Sequence, residues 1–142
     1  MSIKFSIIIP VYNRPKEIEE LLESLTKQEY KEGFEVIIIE DGSSEISEKV
    51  VKKFESTLDI KYFLKENTGA GLSRNYGMER ASGNYFIILD TDVLVPPKYL
   101  VEVEKALIKK YTDAYGGPDA AHESFTSLQK AINYSMTSVM TT

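Results

Sequence analysis

The chain has 142 residues, 42% hydrophobic and 27% charged, and carries a net charge of −5 from 22 acids and 17 bases. Its length suits one domain with a substantial core, and its acidic balance argues against nucleic acid as a partner, because phosphate neutralisation calls for a basic surface. No run reaches the ~20 consecutive apolar residues of a membrane span, and with no Cys and one His disulfides and thiolate chemistry are excluded.

The opening Met1-Ser2-Ile3-Lys4 passes directly into a strand-like segment instead of a signal peptide, so the expected location is the cytoplasm or the cytoplasmic face of a membrane. Phe5 to Ile9 is a short apolar run closed by Pro10 and reads as a buried strand. Pro15 suits the first turn of a helix, where its missing N–H costs nothing, and Ile18, Leu21, Leu22 and Leu25 follow at helical spacing. Phe34 to Ile39 is a second buried strand, after which Ser43 or Ser44 is placed to cap a helix bearing Ile46, Val50, Val51 and Phe54. Ile60 to Leu64 is a third strand, and Gly71 to Ala81 reads as the next helix. Phe86 to Leu89 is four apolar residues in a row, the pattern of a strand covered on both faces. Pro96-Pro97 then opens a helix running to about Lys109.

This β-α-β-α-β-α-β-α alternation with short connections predicts an α/β fold, a Rossmann-like, mainly parallel sheet with helices on both faces. Right-handed crossovers collect the strand-end loops on one edge: Val11 to Arg14, Glu40 to Ser44, Glu66 to Gly71, and Asp90 to Asp92. After Tyr115 the pattern weakens into a turn and a Ser/Thr-rich tail, so the chain reads as truncated. The expected organisation is one α/β domain over 1–115, with 116–142 as an incomplete further region.

The edge loops carry the chemistry. Asp90-Thr91-Asp92 places two carboxylates at the carboxyl end of the fourth strand, where open α/β sheets hold ligands. Hard oxygens there suit Mg²⁺ or Mn²⁺ shared with substrate phosphates, although an Asp-x-Asp taken in isolation is more often a solvated acidic turn. No dinucleotide Gly-x-Gly-x-x-Gly and no P-loop occurs. In their place stands Pro10-Val11-Tyr12-Asn13-Arg14, with an aromatic ring to edge a base and a guanidinium to approach phosphate. Asp41 can accept from a base N–H or a ribose hydroxyl, or serve as a helix N-terminal acid. Arg74 follows the glycines of Gly69-Ala70-Gly71 on the first turns of the third helix, where an anion is favoured; a surface Arg lying over apolar neighbours is the alternative.

Taken together, Ser6 to Asn13, Glu40-Asp41-Gly42-Ser43, Asn67-Thr68-Gly69 through Arg74 to Gly77, and Leu89-Asp90-Thr91-Asp92 resemble inverting glycosyltransferases of family 2, with the GT-A fold. The resemblance implies that Pro10, Tyr12 and Asp41 surround the base, with Asp41 contacting uracil in UDP-using members. It sets Arg74 near the nucleotide and makes Asp90 and Asp92 the metal-site pair, Asp92 as direct ligand and Asp90 nearer the ribose. It also implies that 1–115 is the nucleotide-sugar-binding domain and 116–142 the incomplete start of an acceptor-side region. The implied activity is metal-assisted hexosyl transfer, with inversion, from a UDP-linked sugar to a hydroxyl of a saccharide or lipid-linked acceptor. The cofactor is Mn²⁺ or Mg²⁺, and the implied pathway class is polysaccharide biosynthesis. Homo-oligomerisation through an exposed, truncated edge is a further expectation.

Two departures from the family pattern stand out. Glu40 replaces the first Asp of the common Asp-Asp-Gly-Ser, with little change expected. No later acidic pair follows Asp92: Asp113, Asp119 and Glu123 are single acids and His122 stands alone. The catalytic base is therefore unassigned, and a nucleotide-sugar-binding fragment without turnover is an alternative. A sugar-phosphate nucleotidyltransferase would want a Gly-rich basic loop after the first strand, and a receiver-type domain would want an Asp at the third strand end; neither is found.

Overall fold

A computed structural model describes residues 2–116. The chain divides into two compact units, Met1–Lys109 and Lys110–Thr142. All helices and strands among the described residues lie in the first, in the order β1 (Phe5–Val11), α1 (Pro15–Thr26), β2 (Phe34–Asp41), α2 (Glu48–Val51), β3 (Asp59–Lys65), α3 (Ala70–Met78), β4 (Tyr85–Ile88) and α4 (Tyr99–Lys109). In the second unit, residues 110–116 are described and adopt neither helix nor strand. Asp119, His122 and Glu123, and nearly all of the expected 116–142 region, lie outside the described residues. No described helix is long and apolar enough to cross a membrane.

The four strands form one sheet, ordered β3-β2-β1-β4 and parallel throughout. Alternation along each strand divides the core between two faces. Phe5, Ile7, Ile9 and Val11 meet Ile18, Leu21, Leu22 and Leu25 of α1 and Leu100, Val103 and Leu107 of α4. Ile8, Ile37 and Ile39 face the other way, against Tyr76 and Met78 of α3. The four apolar side chains of α1 are fully buried, each contributing about 1.5–3 kcal/mol. Helix α3 comes so close to the sheet that a Cβ on Gly77 would stand 2.6 Å from Ile39 Cδ1 and 2.7 Å from Ile8 Cγ2.

Three local expectations are corrected. β4 is an edge strand among the described residues: Tyr85 and Ile87 are buried, but Phe86 is 40% and Ile88 46% exposed. Four apolar residues in a row do not distinguish a strand covered on both faces from one whose second face lacks a described neighbour. The second helix is a single turn, with Ile46 exposed before it and only Val51 fully buried. Neither Ser43 nor Ser44 caps it; Ser47 occupies the N-cap position without a side-chain cap bond, and the two earlier serines bond elsewhere.

Candidate nucleotide site

Strands β2 and β3 lie on one side of β1, and β4 lies on the other. The chain therefore reverses its direction of sheet growth beside β1, and open α/β sheets bind ligands at such a switch point, outside the carboxyl ends of the strands. A cavity of about 300 Å³ lies there, lined by Pro10, Val11, Tyr12, Arg14, Asp41, Ala70, Asp90, Thr91 and Asp92. Of the residues singled out in the sequence, Pro10, Tyr12, Arg14, Asp41, Asp90 and Asp92 thus meet around one space. Asn13 and Arg74 do not line it, but each bonds to an adjoining element. Val11, Ala70 and Thr91 are additional lining residues, flagged beforehand only by lying in the same loops.

Tyr12 is 53% exposed and lines the cavity. Arg14, just before α1, ion-pairs with Glu17 at 2.9 Å. The Arg14 guanidinium lowers the Glu17 pKa from its ordinary value. Between Tyr12 and Arg14, Asn13 takes a left-handed conformation, φ 52°, which Asn tolerates better than most residues. Its Oδ1 accepts from Ser44 Oγ at 3.1 Å and from the Glu45 N–H at 3.0 Å, and its own N–H donates to Ser43 Oγ at 2.8 Å. The two serines thus tie the first edge loop to the second.

Asp41 ends β2 with its side chain on the α3 side of the sheet. Its Oδ1 accepts from Lys65 Nζ and from the Thr68 N–H at 2.9 Å, and its Oδ2 accepts from the Gly69 N–H at 2.8 Å. Burial pushes this carboxyl up, but the Lys65 ammonium and the two backbone N–H groups outweigh it and hold it below the ordinary value. An ionised acceptor is the result. Gly42 (φ 68°) follows immediately, and a Cβ there would come within 2.5 Å of the Asn67 N. The second and third edge loops therefore touch backbone to backbone, which only glycine permits.

On the opposite wall, Arg74 Nη2 donates to Asp90 Oδ1 at 2.7 Å, joining α3 to the Asp90–Asp92 loop. Asp92 is exposed at the same rim. Among the described residues no group of three or more His, Cys, Asp or Glu could enclose a metal unaided. Two carboxylates fit a Mg²⁺ or Mn²⁺ ion that draws its other ligands from water and phosphate oxygens. Lys65 escaped the sequence reading; its signal was a cation closing the strand that runs beside Asp41.

Comparison with known proteins agrees with this arrangement. The description "Glycosyl transferase family 2" matches residues 6–141. TarS of Staphylococcus aureus, a poly(ribitol-phosphate) beta-N-acetylglucosaminyltransferase, is 34% identical over 78% of this chain and 20% of its own length. Chondroitin synthase of Escherichia coli is 38% identical over 80% of this chain and 17% of its own. The chain thus spans about a fifth of the length of these relatives. Among solved structures, TarS 1-349 in complex with UDP-GlcNAc superposes with a TM-score of 0.73 at 28% identity, covering 84% of this chain and 38% of that one. The mannosyltransferase PcManGT from Pyrobaculum calidifontis, in complex with GDP-Man and Mn²⁺, gives 0.70 at 26% identity, covering 75% and 33%. With the sheet order, the switch-point cavity and the match over nearly the whole chain in agreement, this chain belongs to glycosyl transferase family 2.

Proposed function

We propose that this chain is the donor-binding part of an inverting, metal-assisted glycosyltransferase that takes a UDP-linked hexose and transfers its sugar to an acceptor hydroxyl. The observation that carries the reading is the convergence of Tyr12, Arg14, Asp41, Asp90 and Asp92 on one cavity at the switch point. Similarity to a protein solved with UDP-GlcNAc and to one solved with GDP-Man and Mn²⁺ supports the donor class and the ion.

In this reading Tyr12 sets its ring against the base and Asp41 Oδ2 accepts a base N–H, which uracil offers at N3. Arg14 faces the negatively charged part of the donor, and Asp90, braced by Arg74, stands beside the ribose. Asp92 and Asp90 would hold the divalent cation, which supplies charge neutralisation for the departing diphosphate. The acceptor oxygen bonds to the anomeric carbon as the carbon–oxygen bond to the diphosphate breaks on the opposite face, hence the inversion. The acceptor proton passes to a general base, a role given to none of the described residues.

Thermal melting with UDP and Mn²⁺ tests the donor reading. A ligand at a hundred times its Kd stabilises the fold by about 2.7 kcal/mol, so the melting temperature should climb with UDP concentration. An unmoved transition at saturating nucleotide and metal would remove the reading and favour a non-enzymatic α/β module.

A further inference from the structure

Glu40 is fully buried beside Asp41, yet strand alternation sends the two side chains to opposite faces. Glu40 shares the α1 side with Val36 and Ile38, away from the nucleotide cavity. Its Oε2 accepts from the Ser47 N–H at 2.9 Å and from Tyr62 Oη at 2.8 Å, while its Oε1 accepts from Ser43 Oγ. A carboxylate without a donor of its own is thus surrounded by three donors, from β3, the start of α2 and the β2–α2 loop.

The Ser43 contact gives this arrangement a direction. A serine hydroxyl has one proton, and here it goes to Glu40. The lone pairs of Ser43 Oγ are left facing outward, and the Asn13 N–H donates to them at 2.8 Å. Asn13 is the left-handed residue between Tyr12 and Arg14, both of which line the cavity. A left-handed non-glycine residue is held against a backbone preference, so its hydrogen bonds do conformational work.

We infer that Glu40 is a positioning residue for the nucleotide site: acting through Ser43, it holds the Tyr12–Arg14 loop in the conformation that receives the donor. This rests on the donor-binding reading for its functional half, whereas the structural half stands on the relay Glu40–Ser43–Asn13 alone. The common Asp at this position is one methylene shorter, so at the same backbone placement it would not reach Ser43, Ser47 and Tyr62 together. The extra carbon of Glu40 has a use here.

The test combines amide hydrogen exchange at Asn13, measured by NMR without nucleotide, with calorimetric titration of UDP in Mn²⁺. Ser43→Ala removes the middle of the relay and leaves Glu40 its Ser47 and Tyr62 donors; Ser43→Thr restores the hydroxyl. Glu35→Gln, at the far edge of the sheet, serves as a control for lowered stability alone. Exchange at Asn13 should quicken and UDP affinity fall about tenfold each in Ser43→Ala, the scale of one lost hydrogen bond. Ser43→Thr should recover both, and Glu35→Gln should change neither. Glu40→Gln should behave as a weaker Ser43→Ala, because its amide meets donors where the carboxylate accepted. Unchanged Asn13 exchange in Ser43→Ala overturns the relay. Faster exchange with unaltered UDP affinity overturns the positioning role. If the unmodified protein binds no UDP, the donor reading falls with the positioning role, and exchange at Asn13 alone then decides the relay.

Discussion

Glu35 offers a quantitative test of what locks the sheet to the segment after α3. It is 2% exposed, and its carboxylate accepts from Ser6 Oγ at 2.5 Å, Lys61 Nζ at 2.7 Å, and the N–H groups of Ser82 at 2.5 Å and Gly83 at 3.0 Å. Burial alone pushes this carboxyl up; the Lys61 ammonium and the bonds from Ser6 and Ser82 outweigh it and bring it from 4.5 down to about 2. At 1.36 kcal/mol per pH unit, that depression corresponds to about 3 kcal/mol of folding free energy. Because the folded-state value is the lower one, the contribution is fully present above pH ~4.5 and is lost as the pH falls toward 2. Urea unfolding of the unmodified protein and of Glu35→Gln, at intervals from pH 7 to pH 2, reads it directly. The difference between the two should be up to about 3 kcal/mol at pH 7 and should close between pH 4.5 and 2. A constant difference across that window would refute the linkage and make Glu35 a packing residue.

Other outcomes follow from the site and the core. UDP affinity should require Mn²⁺ or Mg²⁺, and Asp92→Asn should weaken metal-dependent binding by about 1–3 kcal/mol; equal calorimetric affinity in EDTA counts against the metal. Asp41→Ala should cost UDP more than CDP, because cytosine N3 is an acceptor and gains nothing from a carboxylate. Equal losses for the two nucleotides would leave Asp41 only its hold on Thr68 and Gly69. Gly77→Ala should lower stability by up to about 2 kcal/mol net, because overpacking against Ile8 and Ile39 costs about 1–3 kcal/mol and the ~1 kcal/mol that a helical Gly-to-Ala change ordinarily gains offsets only part of it. A raised melting temperature would mean that those two side chains move aside freely.

The element order was legible because β1 and β2 are short runs rich in Ile and Val, and β3 and β4 are short apolar or aromatic runs. Helix α1 carries a clear helical stripe, and Pro96-Pro97 announces α4. The edge loops were legible for a topological reason: in a parallel α/β sheet every strand ends on the same side, so polar clusters far apart in sequence must gather there. Long-range pairing was hidden. Glu35 looks like any charged residue at a strand start, yet its donors come from β1, β3 and the segment after α3. Ser43 and Ser44 carry an N-cap signature, and their hydroxyls are instead drawn to Glu40 and Asn13 in other parts of the fold. The apolar composition of β4 likewise says nothing about which neighbours cover it.

The opposed directions of Glu40 and Asp41 have a consequence for redesign. One strand end governs two loops, yet the loops share no donor: Ser43, Ser47 and Tyr62 serve Glu40, and Lys65, Thr68 and Gly69 serve Asp41. The Tyr12–Arg14 loop and the Asn67–Gly69 turn can therefore be varied in separate libraries, provided that Asp41 and Gly42, which touch the turn directly, are held fixed in both. Insertions or deletions within β2 are the changes to avoid, since a slip of one position would exchange the two faces and undo both anchors at once.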